Sequence, residues 1–473
     1  MMERAGRATA LVARRLADDT GAPVLVVAGP GNNGGDAWFA ALNLRRTFNR
    51  VVVFDATGGE PPAEEARRAR GEFVAGGGEV VREWPASLHA AVIVDGLLGI
   101  GLTRNLDAPF AYIVSRINGA QVPVLAIDVP SGLDSDTGCV RGAAVRASHT
   151  LTFIAQKVGL HTADGPDHCG HIEVDGLDTK DDVLAIARGS LLAPSAVRAW
   201  LAPRKRNSHK GQFGTLGIIG GNRGMVGAAL LAARAALATG AGKVSLGLLA
   251  PDAPPVDLAQ PELMLRAVED VMGSDVIVAG PGAGQSPEAA PVSMFEHTLL
   301  PRLIKDTRAL VLDADALNAI AGSATLRREV ASRRRGDTLL TPHPAEAGRL
   351  LGKSTAELQE NRLAAALELA ERFKAHVVLK GTGSICAFPD GRWSINSTGN
   401  PGLASGGTGD VLAGMIGALL CQGLDAERAL QYAVCLHGAA ADALVARGKG
   451  PIGLTASEIV MEARRLLNVW TAR

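Results

Sequence analysis

Short runs of aliphatic and β-branched residues alternate with helical patterns along this chain, and several of the runs end in polar, glycine-containing loops. In the first half the runs cover 24–28, 51–54, 91–94 and 124–127. Such alternation is typical of a parallel sheet covered by helices. It predicts an α/β protein with a three-layer α/β/α architecture, in which the loops at the carboxyl ends of the strands form the binding edge.

The same alternation starts a second time after residue 210. A chain of 473 residues is too long for one ordinary core, so two or three domains are expected. Residues 176–182 are polar, a helical stretch follows, and residues 204–210 form a basic run that is predicted to be a solvated linker. The halves differ in length and motif order, which argues against an internal repeat. We therefore predict two α/β/α domains, over 1–183 and 184–473.

Predicted elements of the second half match this organisation. A helix is predicted over Val226–Thr239. Strands are predicted over 216–219, 243–249, 276–279, 309–312, 338–340 and 377–379.

Composition excludes several classes of protein. Apolar residues make up 47% of the chain and charged residues 20%, which suits a folded soluble protein. The 48 basic and 48 acidic residues balance, so we expect no nucleic-acid or membrane-surface partner. The five cysteines lack paired spacing, as in a reducing compartment, and no uncharged apolar run reaches the roughly 18 residues that a membrane helix needs. We expect a cytoplasmic enzyme that forms a homo-oligomer and whose segment 1–21 is its first helix rather than a transit peptide.

The segment 400–410, Asn-Pro-Gly-Leu-Ala-Ser-Gly-Gly-Thr-Gly-Asp, carries the strongest indication of chemistry. Its glycines let the backbone approach a ligand, and an apolar helical pattern follows at once. The first amides of a helix are unpaired and favour a phosphate or a developing anion. Asp410 at this helix start can act as a base against a hydroxyl while the amides of 406–409 hold a phosphoryl group. A simple glycine turn capped by an aspartate would explain only some of these glycines.

Four further strand ends of the second half carry polar or glycine-rich loops. Alone, the glycine loop could be a turn, His343 a core or surface histidine, and the lysine loop a β-hairpin. Their shared position at the ends of predicted strands indicates one pocket that also contains Asp410. The four loops are 280–284, 313–318, 341–346 and 380–384.

These motifs, with His-Lys-Gly-x-Phe-Gly at 209–214, resemble the ribokinase-like superfamily and, within it, the ATP- or ADP-dependent NAD(P)H-hydrate dehydratases over about residues 190 to 470. Ala345 stands where that family often has glycine, which we expect to change only the shape of the loop. The resemblance implies that a hydrated dinucleotide contacts Ala228, Gly282, His343 and Asp410. It also implies that the adenine nucleotide is held by Lys380, Gly381, Thr382, Gly383, Ser384 and Gly409.

The chemistry implied by this resemblance is phosphorylation of a poor leaving group. Hydrated NADH or NADPH (NADHX or NADPHX) carries a hydroxyl at C6 of the nicotinamide ring. Once that hydroxyl is phosphorylated, the ring nitrogen can expel phosphate and restore the reduced cofactor. Mg²⁺ is expected on the phosphates of the ATP or ADP co-substrate. The rival function is a small-molecule kinase, such as a vitamin-precursor kinase, which would release a stable phosphorylated product.

The first half places oxygen-bearing side chains at neighbouring strand ends. The segment 31–36, Gly-Asn-Asn-Gly-Gly-Asp, matches neither the dinucleotide fingerprint nor a P-loop. With Asp95, Asp128 and Ser131 it supplies hard oxygen donors that suit a hard cation. Turn-forming asparagines and aspartates are the alternative explanation.

Together with Met2-Glu-Arg-Ala-Gly6 and the segment 128–138, these motifs resemble the NAD(P)H-hydrate epimerases over about residues 1–180. The resemblance implies a Rossmann-like domain in which Asn33, Asp95 and Ser131 bind K⁺. It makes Asp128 the acid/base group that inverts C6, with Lys157 as a weaker candidate. It implies substrate contacts from Asn32, Asn33, Gly34, Gly35, Asp36, Gly99, Ile100, Gly101, Leu102, Thr103, Arg104, Asn105 and Asp128.

Three departures bear on this epimerase half. Ile100 replaces the usual threonine and removes a hydroxyl, Ala37 replaces a usual glycine, and the chain starts where that family already has a helix. A scaffold domain without catalysis is therefore a second hypothesis for residues 1–183. The cluster of His161, Asp164, Asp167, His168, Cys169 and His171 fits no zinc-site spacing and is predicted to be an exposed loop before a strand at 171–174.

Overall fold

The computed structural model describes residues 1–17, 21–46, 50–61, 63–85, 89–179, 187–284, 290–306, 308–333 and 337–472. These residues divide into two compact units, Met1–Ala187 and Arg188–Arg473. The predicted boundary at 183/184 lies outside the described residues.

The first unit is a seven-stranded parallel sheet with strand order β3-β2-β1-β4-β5-β6-β7. All five residues of β1 are buried, as expected for a strand covered on both faces. In chain order its elements are α1 (Met2–Leu16), β1 (Val24–Ala28), α2 (Asn32–Leu44), β2 (Val51–Asp55), α3 (Glu64–Ala75), β3 (Glu79–Val81), β4 (Val92–Gly96), α4 (Ala108–Asn118), β5 (Val124–Ile127), β6 (His149–Phe153), α5 (Gly165–Cys169) and β7 (His171–Asp175).

The second unit is a ten-stranded mixed sheet with strand order β11-β10-β9-β12-β13-β14-β15-β16-β17-β8. Strand β16 is antiparallel to both neighbours, whereas β9, β12, β13, β14 and β15 run parallel and adjacent. Its strands are β8 (Gly189–Leu192), β9 (Thr215–Gly220), β10 (Lys243–Leu248), β11 (Met264–Leu265), β12 (Val276–Ala279), β13 (Ala309–Leu312), β14 (Thr338–Leu340), β15 (His376–Leu379), β16 (Ile385–Ala387) and β17 (Trp393–Asn396).

Helices cover this sheet, and a π-helical turn, Phe295–Leu299, joins two of them. They are α6 (Pro194–Val197), α7 (Val226–Thr239), α8 (Val268–Val271), α9 (Ala290–Met294), α10 (Leu300–Asp306), α11 (Asp315–Gly322), α12 (Ala324–Ala331), α13 (Pro344–Leu351), α14 (Thr355–Glu360), α15 (Arg362–Phe373), α16 (Thr408–Cys421), α17 (Ala426–Ala446) and α18 (Ala456–Thr471).

Close packing fixes α16, which carries Asp410. A Cβ atom on Gly414 would lie 2.0 Å from the carbonyl oxygen of Ala232 on α7, so only glycine permits this approach. Among the described helices, α17 alone is long and apolar enough by composition to cross a membrane. Since 72% of its most apolar stretch is buried inside the protein, it also fits the description of a core helix.

Two local predictions were wrong. The loop after β1 is shorter than expected, because α2 already begins at Asn32, within the segment 31–36. The helical stretch expected before the basic run begins as strand β8, which pairs with β17 from a distant part of the sequence.

The basic run 204–210 is exposed at six of its seven residues, as predicted for a solvated linker. Its first residue also makes a cation–π contact, since the Arg204 guanidinium lies 3.7 Å above the Phe213 ring.

The segment 161–169 was also predicted wrongly, because it is not an exposed loop. It includes the short helix α5, and Cys169 is fully buried. His168 Nδ1 lies 2.9 Å from the carbonyl oxygen of Val145, and the Asp164 carboxylate accepts the amide of Val140. No group of three or more histidine, cysteine or acidic side chains that could hold a metal occurs among the described residues.

Candidate active sites

In the first unit, Asn33, Asp95 and Ser131 meet around the backbone of Leu98. The Ser131 hydroxyl donates to Asp95 at 2.7 Å, and the Ser131 amide donates to the other carboxylate oxygen at 2.9 Å. The Asn33 amide group donates to the carbonyl of Leu98 at 2.8 Å, and the Leu98 amide donates to the Ser131 hydroxyl. Three residues distant in sequence are therefore joined in one polar network. They meet because they lie after β1, within β4 and after β5, which are neighbouring parallel strands.

Asp95 is the least exposed member of this network. Its side chain is completely buried, and its hydrogen-bond donors among the described residues are neutral groups of Ser131 and Leu97. Burial raises the pKa of Asp95, although the hydrogen bonds from Ser131 and Leu97 oppose that shift. A buried carboxylate held by neutral donors fits a nearby monovalent cation, which would compensate its charge.

Asp128 lies directly after β5 and pairs with Lys157. Its backbone has φ of 64°, a conformation that is uncommon for residues other than glycine and often found at functional sites. The carboxylate accepts from the Thr152 hydroxyl and the Phe153 amide, both at 3.1 Å, and forms a salt bridge with Lys157. Lys157 is 19% exposed, so it is a constrained partner of Asp128 rather than a free surface lysine.

Asp36 in the first turns of α2 is electrostatically coupled to Asp128. Burial, with repulsion from Asp128 as the second cause, raises the pKa of Asp36 to about 7. Near neutral pH this unit therefore combines one carboxyl group that can hold a proton with one that is paired to a lysine. Such a contrast is what acid and base roles require.

The rest of the predicted substrate segments lie beside these groups in the fold. The glycines of α2 allow close packing: a Cβ on Gly34 would lie 1.8 Å from the carbonyl oxygen of Gly29. Residues 99–105 form an irregular, largely exposed loop after β4, and Ile100 is 60% exposed. An exposed isoleucine offers a ligand an apolar contact and no hydrogen bond.

In the second unit, α16 presents its N-terminus at the sheet edge. Gly407 has φ of 90° and precedes the helix, and Asp410 is the third helical residue. Burial raises the pKa of Asp410 to about 7, and the neighbouring Asp313 adds to the effect, while Lys380 opposes it. Asp410 can therefore exchange a proton near neutral pH.

Lys380 stands between this helix end and a group of carboxylates. Its Nζ lies 3.0 Å from the Asp313 carboxylate and 4.0 Å from Glu346, and a Cβ on Gly409 would lie 3.2 Å from it. Burial alone would lower the pKa of Lys380, but the negative charges of Asp313 and Glu346 outweigh that effect and raise it. Lys380 is therefore a charged ammonium at the start of α16.

His343 caps α13 and lies next to Glu346. Its Nδ1 accepts from the amides of Ala345 and Glu346 at 3.1 and 3.3 Å, and the Glu346 carboxylate accepts the His343 amide. Burial and the positive charge of Lys380 lower the pKa of His343, so the imidazole is neutral at pH 7. Glu346 is 5% exposed, and its burial raises its pKa.

The remaining predicted residues of this unit lie on two further loops. Gly282 adopts φ of 63°, and a Cβ there would lie 3.0 Å from the Cβ of Ala228, so these two residues share one wall. Residues 380–384 connect the antiparallel strands β15 and β16, so the lysine loop is a hairpin whose first residue reaches the carboxylate group.

Sequence analysis did not include Asp313, Asp315 or Glu346 among the site residues, although it identified their loops. Each follows a predicted strand, and strand ends of a parallel sheet share one edge; that signal could have found them. A cavity of about 880 Å³ between α7 and α18 contains none of the predicted site residues. A search for cavities alone would therefore have pointed away from Asp410.

Comparison with known proteins divides the chain in the same way. A family described as YjeF-related protein N-terminus matches residues 1–159, and a family described as NAD(P)H-hydrate dehydratase matches residues 216–464. The bifunctional NAD(P)H-hydrate repair enzyme of Escherichia coli K12 is 37% identical, covering 99% of this chain and 89% of that protein. The corresponding enzyme of Leishmania infantum is 34% identical, with the same two coverages, 99% and 89%.

Solved structures match the second unit. An ADP/ATP-dependent NAD(P)H-hydrate dehydratase from Bacillus subtilis, crystallised with ATP and Mg²⁺, is 34% identical with a TM-score of 0.50, covering 59% of this chain and 98% of that one. A ribokinase-like superfamily protein from Enterococcus faecalis is 26% identical with a TM-score of 0.52, covering 60% of this chain and 97% of that one. The second unit therefore has the ribokinase-like fold.

Proposed function

This chain belongs to the family of bifunctional NAD(P)H-hydrate repair enzymes, and we propose from that membership that it both epimerises and dehydrates hydrated NADH and NADPH. The observation that carries the proposal is the pair of separate acid/base centres, Asp128 with Asp36 in one unit and Asp410 with Lys380 in the other. The first would interconvert the R and S forms, and the second would dehydrate the S form with ATP or ADP.

At the first centre, Asp36 would give its proton to the C6 hydroxyl of the substrate. The C6–O bond breaks, water leaves, and the ring nitrogen shares its lone pair with C6. Water would then add to the opposite face of C6 and give its proton to the Asp128 carboxylate, which completes the inversion. Lys157, paired with Asp128, would hold that carboxylate in place and keep it ionised until it takes the proton.

The same unit would hold K⁺ through Asn33, Asp95 and Ser131. The completely buried carboxylate of Asp95, which accepts hydrogen bonds from neutral donors, is the support for this assignment. K⁺ supplies positive charge that keeps Asp95 ionised. The residues then keep the loops after β4 and β5 in register, so that Asp128 stays beside its substrate.

At the second centre, Asp410 would take the proton of the C6 hydroxyl while that oxygen attacks the terminal phosphorus of Mg·ATP or Mg·ADP. An O–P bond forms and the bond to the leaving nucleotide breaks; Lys380 and the amides of 406–409 would stabilise the transferring phosphoryl group. The ring nitrogen then expels phosphate from C6, and loss of a proton from C5 restores the ring double bond. Ala228, Gly282 and His343 would position the dinucleotide, and residues 380–384 with Gly409 would hold the adenine nucleotide.

The test is recovery of reduced cofactor from a mixture of R and S NADH hydrate. Purified protein receives Mg²⁺, K⁺ and either ATP or ADP, and the absorbance of the dihydropyridine is followed. Complete recovery, faster than spontaneous exchange of the two forms, is the expected result. Recovery that stops at the S fraction would favour a scaffold role for residues 1–183, and a stable phosphorylated product would favour the kinase function. A cytoplasmic homo-oligomer is also part of the proposal, and light scattering after size-exclusion chromatography tests the assembly.

A further inference from the structure

Asp313 is buried in the second unit, and Lys380 is the predicted site residue that its carboxylate contacts. It follows β13 and is 1% exposed. Its Oδ1 accepts the Lys380 ammonium at 3.0 Å and the Thr341 hydroxyl at 2.6 Å. Asp313 is therefore connected to the proposed reaction site through Lys380.

The backbone holds Asp313 in this place. Gly280 packs against it so closely that a Cβ there would lie 2.0 Å from the Asp313 carbonyl oxygen. The next residue, Ala314, has φ of 50° and ψ of −115°, outside the regions that alanine ordinarily adopts. Such a conformation is energetically unfavourable and persists where surrounding structure enforces it. The fold thus accepts a strained turn directly after this carboxylate.

Lys380 needs such a partner, because its place is electrostatically unfavourable in the absence of an anion. The ammonium stands at the N-terminus of α16, where the partial positive charge of the helix repels a cation. The lysine stem is long and flexible, so an unpaired ammonium would turn toward solvent. The Asp313 carboxylate offsets the repulsion and holds Nζ where the first amides of α16 also point.

We propose that Asp313 is a positioning residue for phosphoryl transfer, which holds the Lys380 ammonium at the N-terminus of α16 so that lysine and helix amides engage the same phosphoryl group. This role rests on the proposed dehydratase function and extends it by one residue. In this role Asp313 would act through Lys380 and would touch neither nucleotide nor hydrate.

The proposal has a consequence for pH dependence as well as for rate. The charged and titratable groups that act on Asp410 are Asp313 after β13, Asp315 on α11, Glu346 on α13 and Lys380 after β15. Removing the Asp313 charge removes a repulsion that raises the pKa of Asp410. Without Asp313, the proton-accepting form of Asp410 therefore persists to lower pH, while Lys380 loses its fixed position.

Asp313→Asn tests this in the full chain, with S NADH hydrate and ATP or ADP, across pH 5.5 to 9. We expect kcat above pH 7.5 to fall by about 10- to 100-fold with a KM for the hydrate within about threefold of wild type. The acidic limb of the kcat profile should shift to lower pH, and Asp313→Glu should recover part of the rate. Asp257→Asn is the matched control: it weakens another buried carboxylate pair of this unit, with Arg234, and should leave kcat and the limb unchanged.

A fall in kcat without movement of the acidic limb, or the same effect in Asp257→Asn, would show a merely structural role and overturn the inference. If Asp313→Asn fails to fold, Thr341→Val replaces it as the test. This variant removes one hydrogen bond to Asp313 and leaves the negative charge of Asp313 in place. A threefold or larger loss of kcat supports the positioning role, and a kcat within twofold of wild type rejects it. Wild-type protein without dehydratase activity would instead reject the proposed function.

Discussion

Each of the two candidate sites lies at the ends of parallel strands in its own sheet, but the two sites balance their charges differently. In the first unit a lysine is paired with one aspartate, Asp128, and a second carboxyl group, Asp36, is coupled to it. In the second unit one ammonium, Lys380, stands among Asp313, Glu346 and Asp410. The first arrangement is nearer to neutral and suits proton exchange with a neutral ring substituent. The second carries an excess of negative charge.

That excess has a physical meaning for a site that would bind phosphates. Carboxylates repel a bare polyphosphate, so Lys380, the N-terminus of α16 and Mg²⁺ carried by the nucleotide together must outweigh them. In return, burial and the surrounding carboxylates raise the pKa of Asp410 to about 7, which suits a general base. The excess of negative charge in the second unit therefore fits the proposed phosphoryl transfer. The paired charges of the first unit fit the proposed inversion at C6.

The largest expected effect breaks the second site alone. Asp410→Asn removes the proposed base, and we expect dehydration of S hydrate to fall by about 10³-fold because general-base catalysis contributes roughly 10²- to 10⁴-fold. Initial rates of dihydropyridine recovery measure it. Asp425→Asn, which changes an aspartate at the start of α17 to another good capping residue, is the matched control and should retain the wild-type rate. Dehydration of S hydrate by Asp410→Asn at the wild-type rate would contradict the proposed role of Asp410 as the base of the second site.

A somewhat smaller effect should break the first site alone. Lys157→Met removes the cation that pairs with Asp128, and we expect exchange between R and S hydrate to fall by about 100-fold while dehydration of pure S hydrate is unchanged. Chromatography of the two forms over time measures exchange. Arg15→Met removes another cation of this unit, one paired with Glu173 at the surface, and serves as the control. Equal losses in both variants would contradict a specific role for Lys157.

Cation dependence sharpens the comparison further. We expect exchange to fall by about tenfold when K⁺ is replaced by a large organic cation, and dehydration to change much less, because only the first unit has the proposed K⁺ site. Asp95→Asn should make exchange insensitive to the replacement, since the buried negative charge is gone. Rates in matched ionic strength measure both effects. Equal K⁺ dependence of the two activities would argue against this assignment.

The remaining prediction concerns stability rather than activity. The folded protein holds the Asp410 proton up to about pH 7, whereas the unfolded chain releases it near 3.8, so wild-type stability falls as the pH rises between these values. Asp410→Asn has no such proton, so above pH 7 its free energy of unfolding should exceed that of wild type by roughly 4 kcal/mol and it should unfold at a higher temperature, with the difference gone near pH 4. Calorimetry at both pH values measures the shift. A difference of opposite sign would contradict the burial of an uncompensated charge.

Elements with strong local patterns were predicted correctly from the sequence. The helix Val226–Thr239 and the strands at 24–28, 124–127, 276–279, 309–312 and 338–340 have their predicted bounds. Nearly all residues of these strands are buried, with helices on both faces of the sheets, so local apolar content and final environment agree. Family membership and the bifunctional assignment, which rested on motifs, are likewise confirmed by the comparisons.

What the sequence could not supply depends on contacts between distant residues. Strand β8 forms only because β17, about 200 residues later, offers it an edge. Lys157 was only a weaker candidate in the sequence, because its partner Asp128 is brought to it by the turn after β5. The carboxylates Asp313 and Glu346 become members of the site only when β13, β14 and β15 align side by side. The assignments of individual site residues stay predictions.

The most direct test of the account measures both activities in the two single variants Asp128→Asn and Asp410→Asn. Pure R hydrate and pure S hydrate are supplied separately with Mg²⁺, K⁺ and ATP or ADP. We predict that Asp128→Asn dehydrates S hydrate at the wild-type rate but recovers R hydrate only as fast as it exchanges spontaneously. Asp410→Asn should interconvert the forms normally and restore almost no reduced cofactor. Loss of both activities in either variant would contradict two separate centres.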